Sequence, residues 1–219
     1  ALLNSGSFNP GGTSATQTIQ TRFLPTKGDN TAYDIITFGD GTNGFLNGPL
    51  DFSVGISQSL DTSKLGSGSF AHLVIASGST GDPIAGKSAS PLGPIFNGDV
   101  WNLSVVLNSG SALGNNIIAY ATNTTPNKNT YILSCSLDYT AFFEIAADKY
   151  EDTAYFVGNG HNMGGDTDGD KPLLGTFTGS IQEHRAWFET LTPSTIATQS
   201  LSPFNYNGNT ISSSYEALY

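Results

Sequence analysis

The sequence has one cysteine, few basic residues and no long apolar run, and each shortage excludes something. The single Cys135 permits no intrachain disulfide, so hydrophobic packing and backbone hydrogen bonds must hold the chain together. It lies in the strand-like run Ile132-Leu-Ser-Cys-Ser-Leu137 and reads as a small buried hydrophobe. Only 8 Lys and Arg stand against 18 Asp and Glu, giving a formal net charge of −10 and a pI near 4.4 with no basic cluster. Such a surface repels a phosphate backbone, so no nucleic acid partner is expected. Nothing approaches the length of a transmembrane run, and Ala1-Leu-Leu-Asn4 lacks the basic start and apolar stretch of a targeting segment. No membrane insertion is expected. Helix formers are scarce, only 12% of residues are charged, and no long stretch keeps a period of 3.6.

What is present is turn chemistry and core material. The chain holds 26 Gly and 10 Pro among many Ser, Thr and Asn, the mixture that short strands and frequent turns require. Hydrophobic residues make up 37%, with 13 Phe and 9 Tyr, enough to fill the space between two sheets. Strands are expected near 17–24, 33–38, 50–58, 70–76, 100–107, 116–122, 130–138, 153–158 and 177–188. Residues Ser77 to Pro94, rich in Gly, Ser and Pro, are expected to form a long loop. Ala141 to Tyr150 fits either a helix or a strand entering a loop. The absence of an internal repeat or a composition break makes residues 1–219 one expected domain. The unbalanced ends, with no initial Met and a strand-like tail at Ser213–Tyr219, read as a segment of a longer protein.

The most specific block is Gly175 to Asn209. A Gly-bounded turn leads into a strand with Glu183 and Arg185 on one face. Thr192 is a good N-cap, and Pro193 sits at the first helical position, where its missing N–H costs nothing. A helix of about two turns is expected from Pro193 to Gln199. Gly179, Ile181, Gln182, Glu183, Arg185, Trp187, Leu191 and Thr192 fall on the pattern of the last strand and short closing helix of laminin-G-like, or concanavalin A-like, sandwich domains. His184 and Ala186 depart from it. The resemblance extends upstream through Thr18–Pro25, Tyr33–Gly41, Asp99–Leu107 and Tyr155–Gly158. It implies an all-β fold, a two-sheet antiparallel jelly-roll sandwich with one short helix near the C-terminus. Lectins, adhesion modules, pentraxins and glycosidases all use that sandwich, so function must be argued from a site.

Sandwich enzymes that cut β-glucans carry paired carboxylates on one strand as Glu-x-Asp-x-x-Glu. Retaining hydrolysis needs carboxyl groups about 5 Å apart. No such run occurs here: Glu144 and Asp148 are four apart, and Arg185 stands between Glu183 and Glu189. The three His residues, 72, 161 and 184, lie apart with no nucleophile-elbow motif. The chain is therefore expected not to be an enzyme.

The sharpest candidate site is Gly164-Gly-Asp-Thr-Asp-Gly-Asp-Lys171. Its alternating carboxylates Asp166, Asp168 and Asp170 suit the hard oxygen coordination of Ca²⁺. The spacing is not that of an EF-hand, since Gly falls at the fourth place and Phe177 occupies the position of the bidentate Glu. A solvated acidic turn is the other reading. The neighbouring Asn159, His161 and Asn162 offer amide and imidazole groups to a ligand. Trp101 and Trp187 are expected in the core, and Glu183 with Arg185 as a brace. Asn102-Leu-Ser104 and Asn123-Thr-Thr125 fit the glycosylation acceptor pattern.

Composition and resemblance together give a non-catalytic binding module on a virion surface or outside the cell, attached to a glycan or host-surface receptor. The lack of disulfides favours a viral or phage structural protein. The alternative is an architectural module that binds only neighbouring structural subunits, and a glycoside hydrolase is a distant third.

Overall fold

The computed structural model describes residues 16–27, 32–40, 52–58, 70–77, 84–90, 95–96, 98–108, 116–123, 132–138, 153–158, 177–187, 189–202 and 204–210. The strands are β1 (Thr16–Pro25), β2 (Ala32–Asp40), β3 (Phe52–Gln58), β4 (Ala71–Ser77), β5 (Ile84–Lys87), β6 (Trp101–Asn108), β7 (Asn116–Asn123), β8 (Ile132–Asp138), β9 (Thr153–Val157) and β10 (Gly179–Trp187). Among the described residues one helix, α1 (Pro193–Leu201), follows them. The strands form two five-stranded sheets ordered β10-β1-β6-β7-β8 and β5-β4-β3-β2-β9. All pairings are antiparallel. The first strand pairs with the last in one sheet, and the second pairs with the last but one in the other. This nested order makes the chain a jelly-roll-type sandwich.

Period-two alternation places the core. Ile19 and Phe23 of β1, Leu103, Val105 and Leu107 of β6, and Ile117, Ala119 and Ala121 of β7 point to one side. They meet Tyr33, Ile35, Val54, Ile56, Leu73 and Ile75 of the second sheet, with Trp101 buried among them. Cys135 lies on the same face, and burial pushes its thiol up to about 12.

A second apolar cluster sits on the other face of the first sheet. Val106, Trp187, Leu191 and Ile196 pack there with half-buried Ile118 and Tyr120. Trp187 is thus buried between sheet and helix, whereas Trp101 is buried between the sheets. α1 begins as its sequence dictates: Thr192 has extended backbone, its Oγ1 accepts the N–H of Thr195 at 3.2 Å, and Pro193 follows it. The helix runs two residues beyond Gln199, and the N–H of Ser202 closes it on the Thr198 carbonyl at 3.1 Å.

The expected loop from Ser77 to Pro94 is corrected by β5, a four-residue strand on the edge of the second sheet. It is short, and Ala85 and Gly86 carry no β-branched side chain. Gly86 is there for space: a Cβ would stand 3.0 Å from the Ser136 carbonyl oxygen of β8, where the edges of the two sheets meet. Ala141–Tyr150 lies outside the described residues.

Candidate functional site

Asn159, His161, Asn162, Asp166, Asp168 and Asp170 all lie outside the described residues. The structure does fix both ends of the segment that carries them. The chain leaves β9, an edge strand of one sheet, through Gly158, whose N–H donates to the Ile35 carbonyl at 2.7 Å. Gly158 has φ +97, and a Cβ there would stand 2.9 Å from Ile181 Cδ1. It returns at Phe177, whose ring meets Phe23 edge-on at 6.2 Å, and enters β10, an edge strand of the other sheet. In chain order the acidic segment therefore connects β9 of one sheet to β10 of the other. Among the described residues, no three His, Cys, Asp or Glu side chains gather as a metal ion would require.

The densest polar construction among the described residues is on the outer face of the first sheet. β10 carries a bulge opposite Thr21 and Arg22, and Glu183 takes φ +50 within it. The bulge turns the Glu183 carboxylate onto the face of Arg22 and Arg185. Its Oε2 lies 2.6 Å from Arg22 Nε and its Oε1 2.8 Å from Arg185 Nη2. Arg22 Nη2 also donates to the Gln199 carbonyl at 3.0 Å and to that of Ser200 at 3.5 Å. These belong to the last turn of α1, whose carbonyls have no partner within the helix. Burial pulls the Arg22 guanidinium below its ordinary value, with Glu183 opposing that fall and Arg185 adding to it. Arg185 Nη1 donates to the Asn205 carbonyl at 3.1 Å, and its guanidinium lies over the Tyr206 ring at 4.7 Å.

Beside this cluster runs a buried chain of side-chain hydrogen bonds. Trp187 Nε1 donates to Gln20 Oε1 at 2.7 Å, Gln20 Nε2 to Ser104 Oγ at 3.1 Å, and Asn102 Nδ2 to the same Oγ at 3.2 Å. Asn102 is therefore committed to the fold. Asn123 Nδ2 donates to Asp99 Oδ2 at 3.3 Å. Both Asn residues are buried, so neither acceptor pattern marks an accessible glycosylation site.

Glu183 and Arg185 form the brace expected of them, while Arg22, the third member, carried no signal beyond its place in a strand. Asn209 is another residue the sequence does not single out. Its Oδ1 accepts from Thr192 N at 2.9 Å and Thr195 Oγ1 at 3.1 Å, and its Nδ2 donates to the Thr190 carbonyl at 2.7 Å. On the second sheet, the fully buried Asp34 accepts a hydrogen bond from Ser53 Oγ beside a bulge of β2. Gly55 stands opposite, where a Cβ would lie 1.9 Å from the Tyr33 carbonyl oxygen. Chemically the arginine cluster is a framework: both oxygens of its one carboxylate are engaged by guanidinium groups, which suits bracing better than acid–base work.

This geometry defines a two-sheet antiparallel β-sandwich closed by a braced helix. No protein-family model matches the sequence, and no curated protein matches it. Among solved structures the chain is similar to the full-length tailspike protein 2 of the Escherichia coli O157:H7 bacteriophage CAB120. That similarity has a TM-score of 0.55 at 11% identity, over 93% of this chain and 23% of the tailspike. It is also similar to the enzymatically active domain of tailspike protein 2 of bacteriophage CBA120, with a TM-score of 0.47 at 12% identity, over 87% of this chain and 25% of that one. A third similarity is to the Ruminococcus gnavus IT-sialidase CBM40 bound to alpha2,3 sialyllactose, with a TM-score of 0.49 at 15% identity, over 85% and 83% of the two chains. The chain thus spans under a quarter of the full-length tailspike, and at these identities the likeness is one of fold.

Proposed function

We propose that this chain is a non-catalytic module of a phage or viral particle that attaches to glycan on a host surface. The observation that carries the reading is the likeness of fold between 93% of the chain and one part of a phage tailspike. The acidic, disulfide-free composition supports a particle protein. The sequence between β9 and β10 supports binding by its chemistry, because amide, imidazole and carboxylate groups stand close together in it. There Asn159, His161 and Asn162 would meet sugar hydroxyls, and Asp166, Asp168 and Asp170 would hold Ca²⁺. Supporting the lack of turnover is the missing paired-carboxylate strand. No helix among the described residues is long and apolar enough to cross a membrane.

The test is a glycan array probed with the purified chain, with and without Ca²⁺. Retention on a defined set of glycans supports the reading. Silence across the array, with the chain found buried between subunits of a particle, would give the architectural alternative the lead.

A further inference from the structure

The segment beyond α1 carries the residues of a chemical modification. Leu201, Phe204, Tyr206 and Asn207 are all exposed there, so water and hydroxide reach it. The sequence holds five Asn-Gly pairs, and Asn207-Gly208 is the one with both members among the described residues. An asparagine followed by glycine can close a five-membered imide, because no Cβ on the glycine hinders its nitrogen as it approaches the side-chain carbonyl.

The hydrogen bonds around Asn207 favour that closure. Its side-chain amide has no partner among the described residues, so it is free to turn toward Gly208. Gly208 is buried, and its N–H has no partner among the described residues either, so closing the ring sacrifices no hydrogen bond. The attacking species is the deprotonated Gly208 nitrogen, whose charge is shared with the Asn207 main-chain oxygen. Gln199 Nε2 donates to that oxygen at 2.7 Å, a donor aimed where charge develops. Asn205 Oδ1 accepts the Asn207 N–H at 3.0 Å and holds the residue from its other side. Arg185 binds the Asn205 carbonyl and Glu189 the Asn209 N–H. These opposite charges stand two residues to either side of Asn207, so the Gln199 amide decides. Asn209 is the contrast, since Thr192, Thr195 and Thr190 engage its side chain and Thr210 follows it.

We infer that Asn207 is a site of spontaneous deamidation, promoted in the folded chain by Gln199. Hydroxide takes the Gly208 N–H proton, the nitrogen bonds to Asn207 Cγ, and the Cγ–Nδ2 bond breaks. Ammonia leaves with a proton from water, which regenerates the hydroxide. A second water opens the imide at one carbonyl or the other, leaving aspartate or isoaspartate at position 207. Either product adds a carboxylate to a stretch, Thr190 to Tyr215, that holds no Asp, Glu, Lys or Arg. Isoaspartate also lengthens the main chain by a methylene between the Gln199 contact and Asn209, which holds the start of α1 through Thr192 and Thr195.

Peptide mapping by mass spectrometry after timed incubation in mildly alkaline buffer tests this, on the folded chain and on the same chain in guanidinium chloride. Folded, Asn207 should convert about fivefold faster than unfolded, the scale of one hydrogen bond to the developing charge, while Asn209 stays intact. Gln199→Met keeps the length of the side chain without its donor. Folded, this variant should convert no faster than the unfolded chain, and in denaturant it should match the unaltered one. The comparison of folded with unfolded unaltered chain needs no variant, so it decides even where Gln199→Met does not fold. Conversion that is absent from the folded chain, or no faster there than in denaturant, overturns the inference. So does a folded Gln199→Met that converts at the unaltered rate. The fully converted chain should melt at a lower temperature, and an unchanged melt would overturn the link to α1.

Discussion

Glu183 Oε2 lies 2.6 Å from Arg22 Nε, joining the last strand of the sandwich to the first through the bulge that turns the carboxylate outward. The same Arg22 reaches the end of α1, so one guanidinium links strand, strand and helix. Glu183→Gln should cost about 1–2 kcal/mol, below the cost of breaking a fully buried pair because the Glu183 side chain is 30% exposed. Arg22→Ala should cost more, since it also strips the helix carbonyls of their donor. Urea denaturation of both variants checks the order, and equal losses would remove the helix contact from the account.

Trp187 separates packing from hydrogen bonding. Trp187→Ala should cost about 3–5 kcal/mol, as other large aromatic deletions do. Trp187→Phe keeps most of the ring but leaves buried Gln20 Oε1 without its donor, for a loss of about 1–3 kcal/mol. A loss under about 1 kcal/mol for the alanine variant in denaturant melts would contradict the second core.

Gly55→Ala should abolish or severely reduce soluble folded protein, because the new Cβ meets the Tyr33 carbonyl oxygen in the bulge. Circular dichroism and a thermal melt of the purified variant report it. A melt like that of the unaltered chain would show that the β2–β3 register relaxes freely.

Cys135 gives a prediction in pH. Its thiol rises from 9.0 to about 12 on folding, so the folded state retains the proton more strongly than the unfolded state. The stability this confers is fully present below pH 9, and it is lost as pH rises toward 12. Cys135→Ala should flatten that part of the pH–stability curve. A thiol reagent at pH 8 should leave the native protein unlabelled and label it in denaturant. Rapid labelling of the native state would place the side chain outside the core.

If Asp166, Asp168 and Asp170 hold Ca²⁺, adding it should raise the melting temperature by mass action. Asp168→Ala should remove that increment and leave the calcium-free melt unchanged. A melt indifferent to millimolar Ca²⁺ would leave the segment an acidic turn.

The fold was legible because two-sided burial writes itself as alternation. Ile19 and Phe23, or Leu103, Val105 and Leu107, announce their strands, and Thr192-Pro193 announces the helix start. β5 was not legible, since four residues containing Ala85 and Gly86 carry too little pattern to distinguish an edge strand from a loop. The brace was half legible. Glu183 and Arg185 are two apart in one strand, but Arg22 joins them only through strand pairing and a bulge, neither of which is local in sequence. Leu201, Phe204 and Tyr206 look like ordinary apolar residues until exposure is known. The candidate ligand residues from Asn159 to Asp170 lie outside the described residues, so their chemistry rests on residue type and on the anchored ends of their segment.

The central claim is binding without turnover, and one combined measurement addresses it. The chain is run by affinity electrophoresis through gels cast with a panel of host-surface polysaccharides, and the same mixtures are assayed for new reducing ends. The account predicts retardation by at least one polysaccharide with no reducing ends released. Reducing-end release that disappears on replacing a single Asp or Glu would contradict it, as would free migration through every gel.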